Sequence, residues 1–178
     1  MTTYVALLRA VNVGGRSVAM ADLRATFAKL GFADAKTLLQ SGNVVFTSDK
    51  RSSGELEKQL EAAADKHHKM QIEFMIRSAK EWADIVAANP YPNEAKTDPA
   101  RLVVIALKSP AKAGAEQALQ AAIKGRETVR VSGKNAYMYY PDGQGTSKVT
   151  PTVVEKHLGA RGTARNWNTA LKLLALTQ

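Results

Sequence analysis

The sequence predicts an α+β protein in which one strand–helix–strand–strand–helix–strand unit occurs twice. Three observations carry this. Two short apolar runs, Tyr4-Val5-Ala6-Leu7-Leu8 and Leu102-Val103-Val104-Ile105-Ala106-Leu107, each lead into a helix and then a hairpin. The two hairpins match, because Ser41-Gly42-Asn43 and Ser132-Gly133-Lys134-Asn135 both place a Ser-Gly step at the turn and an Asn where the return strand begins. Between the halves, residues 89–99 hold three prolines among polar side chains, the composition of a linker.

The first run is short and continuously apolar, as suits a strand buried on both faces. Met20, Leu23, Phe27 and Leu30 then recur at helical spacing, and Gly31 ends that helix. After the hairpin, Leu56, Leu60, Ala63 and Ala64 mark a second helix, and Ile72, Phe74 and Ile76 alternate as a strand. This order is the split βαβ, or ferredoxin-like, unit. Trp82, Ile85 and Val86 lie on a linking helix that stops before Asn89-Pro90. In the second unit Ala115, Ala118, Leu119 and Ala122 mark the first helix. Thr150 and Pro151 read as N-cap and first residue of the next, which Gly159 closes. Thr163-Ala164-Arg165 is a short closing strand, and Trp167, Leu171 and Leu174 mark a last helix. The expected division is a tandem duplication: residues 1–80, a linking helix and linker over 81–99, and residues 100–178.

The chain of 178 residues is 45% hydrophobic, enough to bury a core. It has no cysteine, which removes disulfides, thiol nucleophiles and thiolate metal sites and fits a reducing cytoplasm. The start lacks the basic flank and apolar stretch of a signal peptide, and no apolar run is long enough for a membrane helix. The net charge of +9 is unevenly placed. Residues 1–98 carry 13 basic and 12 acidic side chains, residues 99–178 carry 12 and 4. A basic second half points to an anionic partner, against the plainer reading of a solvated surface.

In the predicted topology the end of the first strand, the start of the first helix and the hairpin turn share one sheet edge. That edge gathers Arg9, Asn12, Gly14, Gly15, Gln40, Ser41 and Asn43. Backbone N–H groups at a helix start, with an Arg fork, suit an anion or nucleotide. The structural alternative is that the glycines shape a turn, the amides brace the hairpin and Arg9 pairs with a carboxylate. In the second unit the opposite edge collects Gly143, Gly145, Ser147, Lys148, Arg165, Asn166 and Asn168. There the alternative is N-capping by the asparagines, Trp167 as a core anchor, and Arg165 tied to carbonyls or to Asp142. Arg165 is the foremost candidate, since a guanidinium, an ammonium, a hydroxyl and helix N–H groups together suit an oxyanion.

Catalytic signals are thin. His67, His68 and His157 all fall in the last turns of helices, where a cation suits the dipole. No general base is evident beside Ser41 or Ser147, no metal motif is present and no cofactor is implied. Tyr137 and Tyr139 share one strand face and would stack bases if that face were open, but it is expected to be core. Neither unit has the aromatic pattern of an RNA-recognition motif.

The stretches Leu7-Leu8-Arg9-Ala10-Val11-Asn12-Val13-Gly14-Gly15, Leu39-Gln40-Ser41-Gly42-Asn43-Val44-Val45-Phe46, Asn89-Pro90-Tyr91, Tyr139-Tyr140-Pro141-Asp142-Gly143, Ser147-Lys148 and Thr163-Ala164-Arg165-Asn166-Trp167-Asn168-Thr169 resemble the domain-of-unknown-function 1697 family along the whole chain. One departure is Ala10, where that family commonly has Gly. The resemblance implies a compact, bacterial-type cytoplasmic protein with tandem ferredoxin-like units. It brings no activity, cofactor or catalytic residue. The functional expectation is a binding protein for a phosphate-bearing small molecule or nucleotide, or an unassigned transferase. The alternatives are a nucleic-acid-binding module and an interaction domain without a ligand.

Overall fold

The computed structural model describes residues 1–9, 17–49 and 52–178. It is α+β, with two four-stranded sheets whose neighbouring strands are all antiparallel. The chain clusters into two compact units, Met1–Asp84 with Leu173–Gln178, and Ile85–Lys172.

In the first unit β1 (Thr2–Arg9), α1 (Met20–Lys29), β2 (Lys36–Thr37), β3 (Asn43–Ser48), α2 (Ser53–His68), β4 (Glu73–Ser78) and α3 (Ala79–Ala87) follow in order. The sheet order is β2-β3-β1-β4. One face of the sheet carries Tyr4, Ala6, Leu8, Phe46, Phe74 and Ile76 against Phe27, Leu56 and Leu60 of the helices. Phe27 meets Phe46 edge to face, with centroids 5.2 Å apart. Val5, Leu7, Val45, Met75 and Arg77, on the other face by strand alternation, are buried too. That explains why the first apolar run shows no polar alternation.

In the second unit α4 (Pro92–Thr97), a single 3-10 turn (Pro99–Arg101), β5 (Leu102–Leu107), α5 (Ala115–Ala122), β6 (Thr128–Ser132), β7 (Asn135–Tyr139), α6 (Pro151–Leu158), β8 (Gly162–Asn166) and α7 (Trp167–Leu176) follow. The order is β6-β7-β5-β8, the first unit's order again. Val103, Ile105, Leu107, Ala136 and Met138 pack with Leu119, Val154 and Leu158 of α5 and α6. Thr150 caps α6 through its hydroxyl, Pro151 is the first helical residue, and Gly159 ends the helix at a φ of 70°. Asn43 opens β3 and Asn135 opens β7, as the matched hairpins predict. The first hairpin differs in extent, since β2 pairs through only two residues.

Three of the outer strands, β4, β6 and β8, donate hydrogen bonds to helix side chains along their free edges. On β4 the N–H groups of Phe74 and Ile76 donate to Glu61 and Glu57, one helical turn apart on α2 (3.1 and 2.9 Å). On β6 the N–H groups of Val129 and Val131 donate to Gln120 and Glu116 of α5 (3.1 and 2.8 Å). Gly162 of β8 donates to Glu155 of α6 (3.1 Å). Where β2 has ended, Thr47 of β3 donates its N–H and hydroxyl to Asp34. Open strand edges invite pairing with other chains, and these carboxylates and amides close them.

Candidate functional site

The loop after β7 builds the strongest concentration of the expected polar residues. Gly143, at a φ of 87°, closes a turn by donating to the Tyr140 carbonyl (2.9 Å). Thr146 then donates to the Asp142 carbonyl, and the Ser147 N–H donates to that of Gln144. Asp142 is clamped by two guanidinium nitrogens of Arg126. These hydrogen bonds hold its carboxyl below the usual carboxylate range, and the Arg126 charge adds to the effect. Asp142 therefore binds Arg126, where the sequence offered it as a partner for Arg165.

Ser147 sits at the centre. Its hydroxyl donates to Glu127 Oε1 (2.6 Å) and accepts from the Val149 N–H (3.0 Å). The second oxygen, Glu127 Oε2, is buried without a hydrogen-bond partner. It lies against Gly125, where an added Cβ would come within 2.5 Å of it, so a side chain there would displace the carboxylate. Lys124, Lys148, Thr146 and His157 join Ser147 and Glu127 around a cavity of about 430 Å³. His157 Nδ1 lies 2.9 Å from the Val153 carbonyl and so carries its proton there. The two ammonium groups offer donors to an oxyanion, the Thr146 and Ser147 hydroxyl protons being engaged by the Asp142 carbonyl and Glu127 Oε1, while Glu127 Oε2 accepts from a ligand hydroxyl or a protonated phosphate oxygen.

Arg165 does not line this cavity. Its guanidinium is buried, with Nη1 donating to the Thr163 hydroxyl (2.6 Å) and the Ala164 carbonyl (2.9 Å). Burial lowers its pKa to about 10. Asn166 Oδ1 accepts from the Thr169 N–H (3.0 Å) at the start of α7, Asn168 is exposed, and Trp167 is buried. The second cluster thus divides. Ser147 and Lys148 meet in the cavity, and Arg165 and Asn166 lie at the β8–α7 junction.

In the first unit Asn43 is fully buried and braces the hairpin by donating to the Leu38 carbonyl (2.7 Å) and Ser41 Oγ (3.0 Å). Gln40 and Ser41 are exposed. Arg9 stands opposite Glu73 in the β1–β4 register and lines a cavity with Glu61, Asp65 and Glu73. Those carboxylates make that cavity a poor anion host. Asn12, Gly14 and Gly15 fall outside the described residues. Tyr137 is buried and its hydroxyl donates to the Ile85 carbonyl (2.6 Å), so it is core, as expected. Tyr139 is half-buried.

Sequence reasoning missed one repeated element. Arg77 pairs with Val5 across β1–β4, and Arg165 pairs with Val104 across β5–β8. Val5 and Val104 hold equivalent positions, each two residues before the strand residue that faces Asn43 or Asn135. Both arginines are buried, and each donates from Nη1 to the carbonyl of the preceding residue. Each is followed by a residue that caps the next helix, Ser78 for Glu81 and Asn166 for Thr169. The signal was available as an Arg followed by a capping residue, but the registers needed to align the two copies were not. Lys124, Glu127 and His157 were missed because only tertiary packing brings them to Ser147.

No curated protein matches this chain at a significant level. A solved structure, that of the conserved bacterial protein SP0830 from Streptococcus pneumoniae, is similar with a TM-score of 0.76. The two share 22% sequence identity over 99% of each chain, a likeness of fold alone. The family described as "Protein of unknown function (DUF1697)" matches residues 1–137, which include the first apolar strand, the first hairpin, the linker and most of the second hairpin. With most of its length matched, the chain belongs to the DUF1697 family.

Proposed function

We propose that this protein binds a phosphate-bearing small molecule, in the cavity around Ser147 and Lys148. The observation that carries the reading is the grouping of Lys124, Lys148, Ser147 and Thr146 around one cavity, with a buried, unpartnered Glu127 oxygen at its wall. The scaffold in this reading is a duplicated ferredoxin-like unit. The repeated strand order, the matched Asn positions and the equivalent buried arginines support it. A cytoplasmic, bacterial setting is supported by the absence of cysteine and by the streptococcal neighbour. Among the described residues no helix is long and apolar enough to cross a membrane. The nucleic-acid alternative has less support. One of its two candidate stacking residues, Tyr137, is buried, which leaves it resting on charge.

A thermal-shift series over nucleotides, sugar phosphates and short oligonucleotides tests this. A ligand at a hundredfold excess over its Kd stabilises by about 2.7 kcal/mol. Lys148→Ala and Lys124→Ala, both at exposed positions, should each weaken the best ligand at least about fivefold, with the melting temperature of the free protein unchanged. Uniformly flat shifts would sink the reading. Binding only by oligonucleotides, falling by about 0.7 to 0.9 log units per log unit of salt for each phosphate contacted, would replace it with the nucleic-acid one.

A further inference from the structure

A second cavity of about 660 Å³ lies at the β6 edge of the second unit, and Asn89-Pro90-Tyr91 helps to build it. Asn89 Oδ1 accepts from the Tyr91 N–H (3.0 Å), and its amide donates back to the Tyr91 carbonyl (3.3 Å). This fixes the Tyr91 backbone at the start of α4. The Tyr139 hydroxyl donates to Asp98 (2.9 Å), which fixes the second ring. The two rings lie 6.4 Å apart, tilted by 34°, and line the cavity as neighbours rather than as the two sides of a slot.

The polar groups around this wall carry both signs of charge. Arg130 and Glu94 line the same cavity, with Thr128 and Gln117. The Tyr91 hydroxyl oxygen is buried, and no hydrogen bond of good geometry satisfies it. Burial raises the Tyr91 phenol pKa, with the Thr128 hydroxyl and the Arg130 charge acting against the rise. Two other polar side chains are already engaged, because Glu116 and Gln120 accept from the β6 backbone. The same bonds close the edge, so an added peptide strand has no N–H at Val129 or Val131 to pair with.

We propose that this cavity is a site for a zwitterionic amino acid with an aromatic side chain. Arg130 and the Tyr91 hydroxyl take the carboxylate, Glu94 takes the ammonium, and the tyrosine rings take the side chain. A phosphate alone would leave Glu94 opposed and the aromatic wall unused, and an organic cation would leave Arg130 opposed. The assignment uses residues separate from the Ser147–Lys148 cavity and stands independently of the function proposed there.

The test compares L-phenylalanine with 3-phenylpropionate, which lacks the ammonium, and 2-phenylethylamine, which lacks the carboxylate. Binding is read by calorimetry and by saturation-transfer NMR. Phenylalanine should bind at least about tenfold more tightly than either analogue, because a site built for a polar group rejects ligands that lack it. Arg130→Gln, at an exposed position, should remove the preference over phenylethylamine. Tyr91→Phe should weaken phenylalanine several-fold while leaving the melting temperature unchanged or raised, since it deletes a buried hydroxyl that lacks a partner. A purely structural role for Tyr91 would lower the melting temperature and leave the ligand preference intact, and that result overturns the assignment. So does equal binding of the three probes, or saturable binding of none. Loss of phenylalanine binding in Lys148→Ala, with Arg130→Gln unaffected, would also overturn it and move the ligand to the other cavity.

Discussion

Arg165 shows how much depends on where a single guanidinium points. Its Nη1 bonds to the Thr163 hydroxyl and the Ala164 carbonyl are buried, so Arg165→Lys keeps a charge but loses the planar guanidinium that places one nitrogen against both acceptors. We expect a loss of roughly 2 to 3 kcal/mol in stability, read by urea unfolding, with phosphate-ligand binding unchanged. Weakened binding at unchanged stability would instead give Arg165 a direct ligand role. Gly162 has a different constraint. A Cβ there would lie 2.9 Å from the Ala106 carbonyl oxygen, which is backbone and cannot swing aside. Gly162→Ala should therefore cost about 1 to 3 kcal/mol by thermal or urea melting. Tyr140 predicts the alkaline limb. Burial pushes its pKa up to about 12, above the usual 10. The folded state keeps a proton that the unfolded chain releases, so the stabilisation is complete below pH 10 and is lost as pH rises towards 12. Tyr140→Phe should flatten that decline by about 2 to 3 kcal/mol in urea midpoints followed across the window. Tyr137, whose pKa burial also raises, supplies part of the decline that remains.

At the scale of elements, three of the outer strands depend on helix side chains for their edge hydrogen bonds. Glu57 is buried, satisfies the Ile76 N–H and lies close enough to the buried Arg77 to favour its charge. Glu57→Ala removes the acceptor of the Ile76 N–H and one of the two carboxylates that favour the Arg77 charge, and a loss of about 1 to 3 kcal/mol is expected in urea unfolding. The strands and helices themselves were largely legible. Continuous apolar runs gave β1 and β5, helical spacing gave α1, α2 and α5, and Thr150-Pro151 with Gly159 marked both ends of α6. The short α4 was not legible, because six residues with no buried side chain leave no periodic trace. The site was legible only in part. Ser147 and Lys148 are adjacent in the chain, so one loop carries both into the cavity. Lys124 and Glu127 arrive from the α5–β6 connection and His157 from α6, and no spacing rule links them.

For the whole molecule, the uneven charge is sharpened by the way acidic residues are used. Glu116 and Glu155 bond to strand backbone, Glu127 to Ser147, and Asp142 to Arg126. These are all four acidic residues of the stretch 99–178, which carries 12 basic ones. Polyanions should therefore be attracted weakly and without sequence preference, and retention on a heparin column should fall away at moderate salt. Binding in either cavity should outlast that salt. The sealed strand edges also bear on the order in which the chain acquires its structure. Each seal joins residues close in sequence: 13 and 19 apart for β4, 9 and 15 for β6, and 7 for β8. Pairing β4 with β1, by contrast, must bring Arg77 to Val5 across nearly the whole first unit. Short loops close at lower entropic cost than long ones. A helix can thus cover its neighbouring strand while the polypeptide is still emerging from the ribosome, before the distant central strand docks, leaving a half-made sheet little exposed edge for a second nascent chain to join.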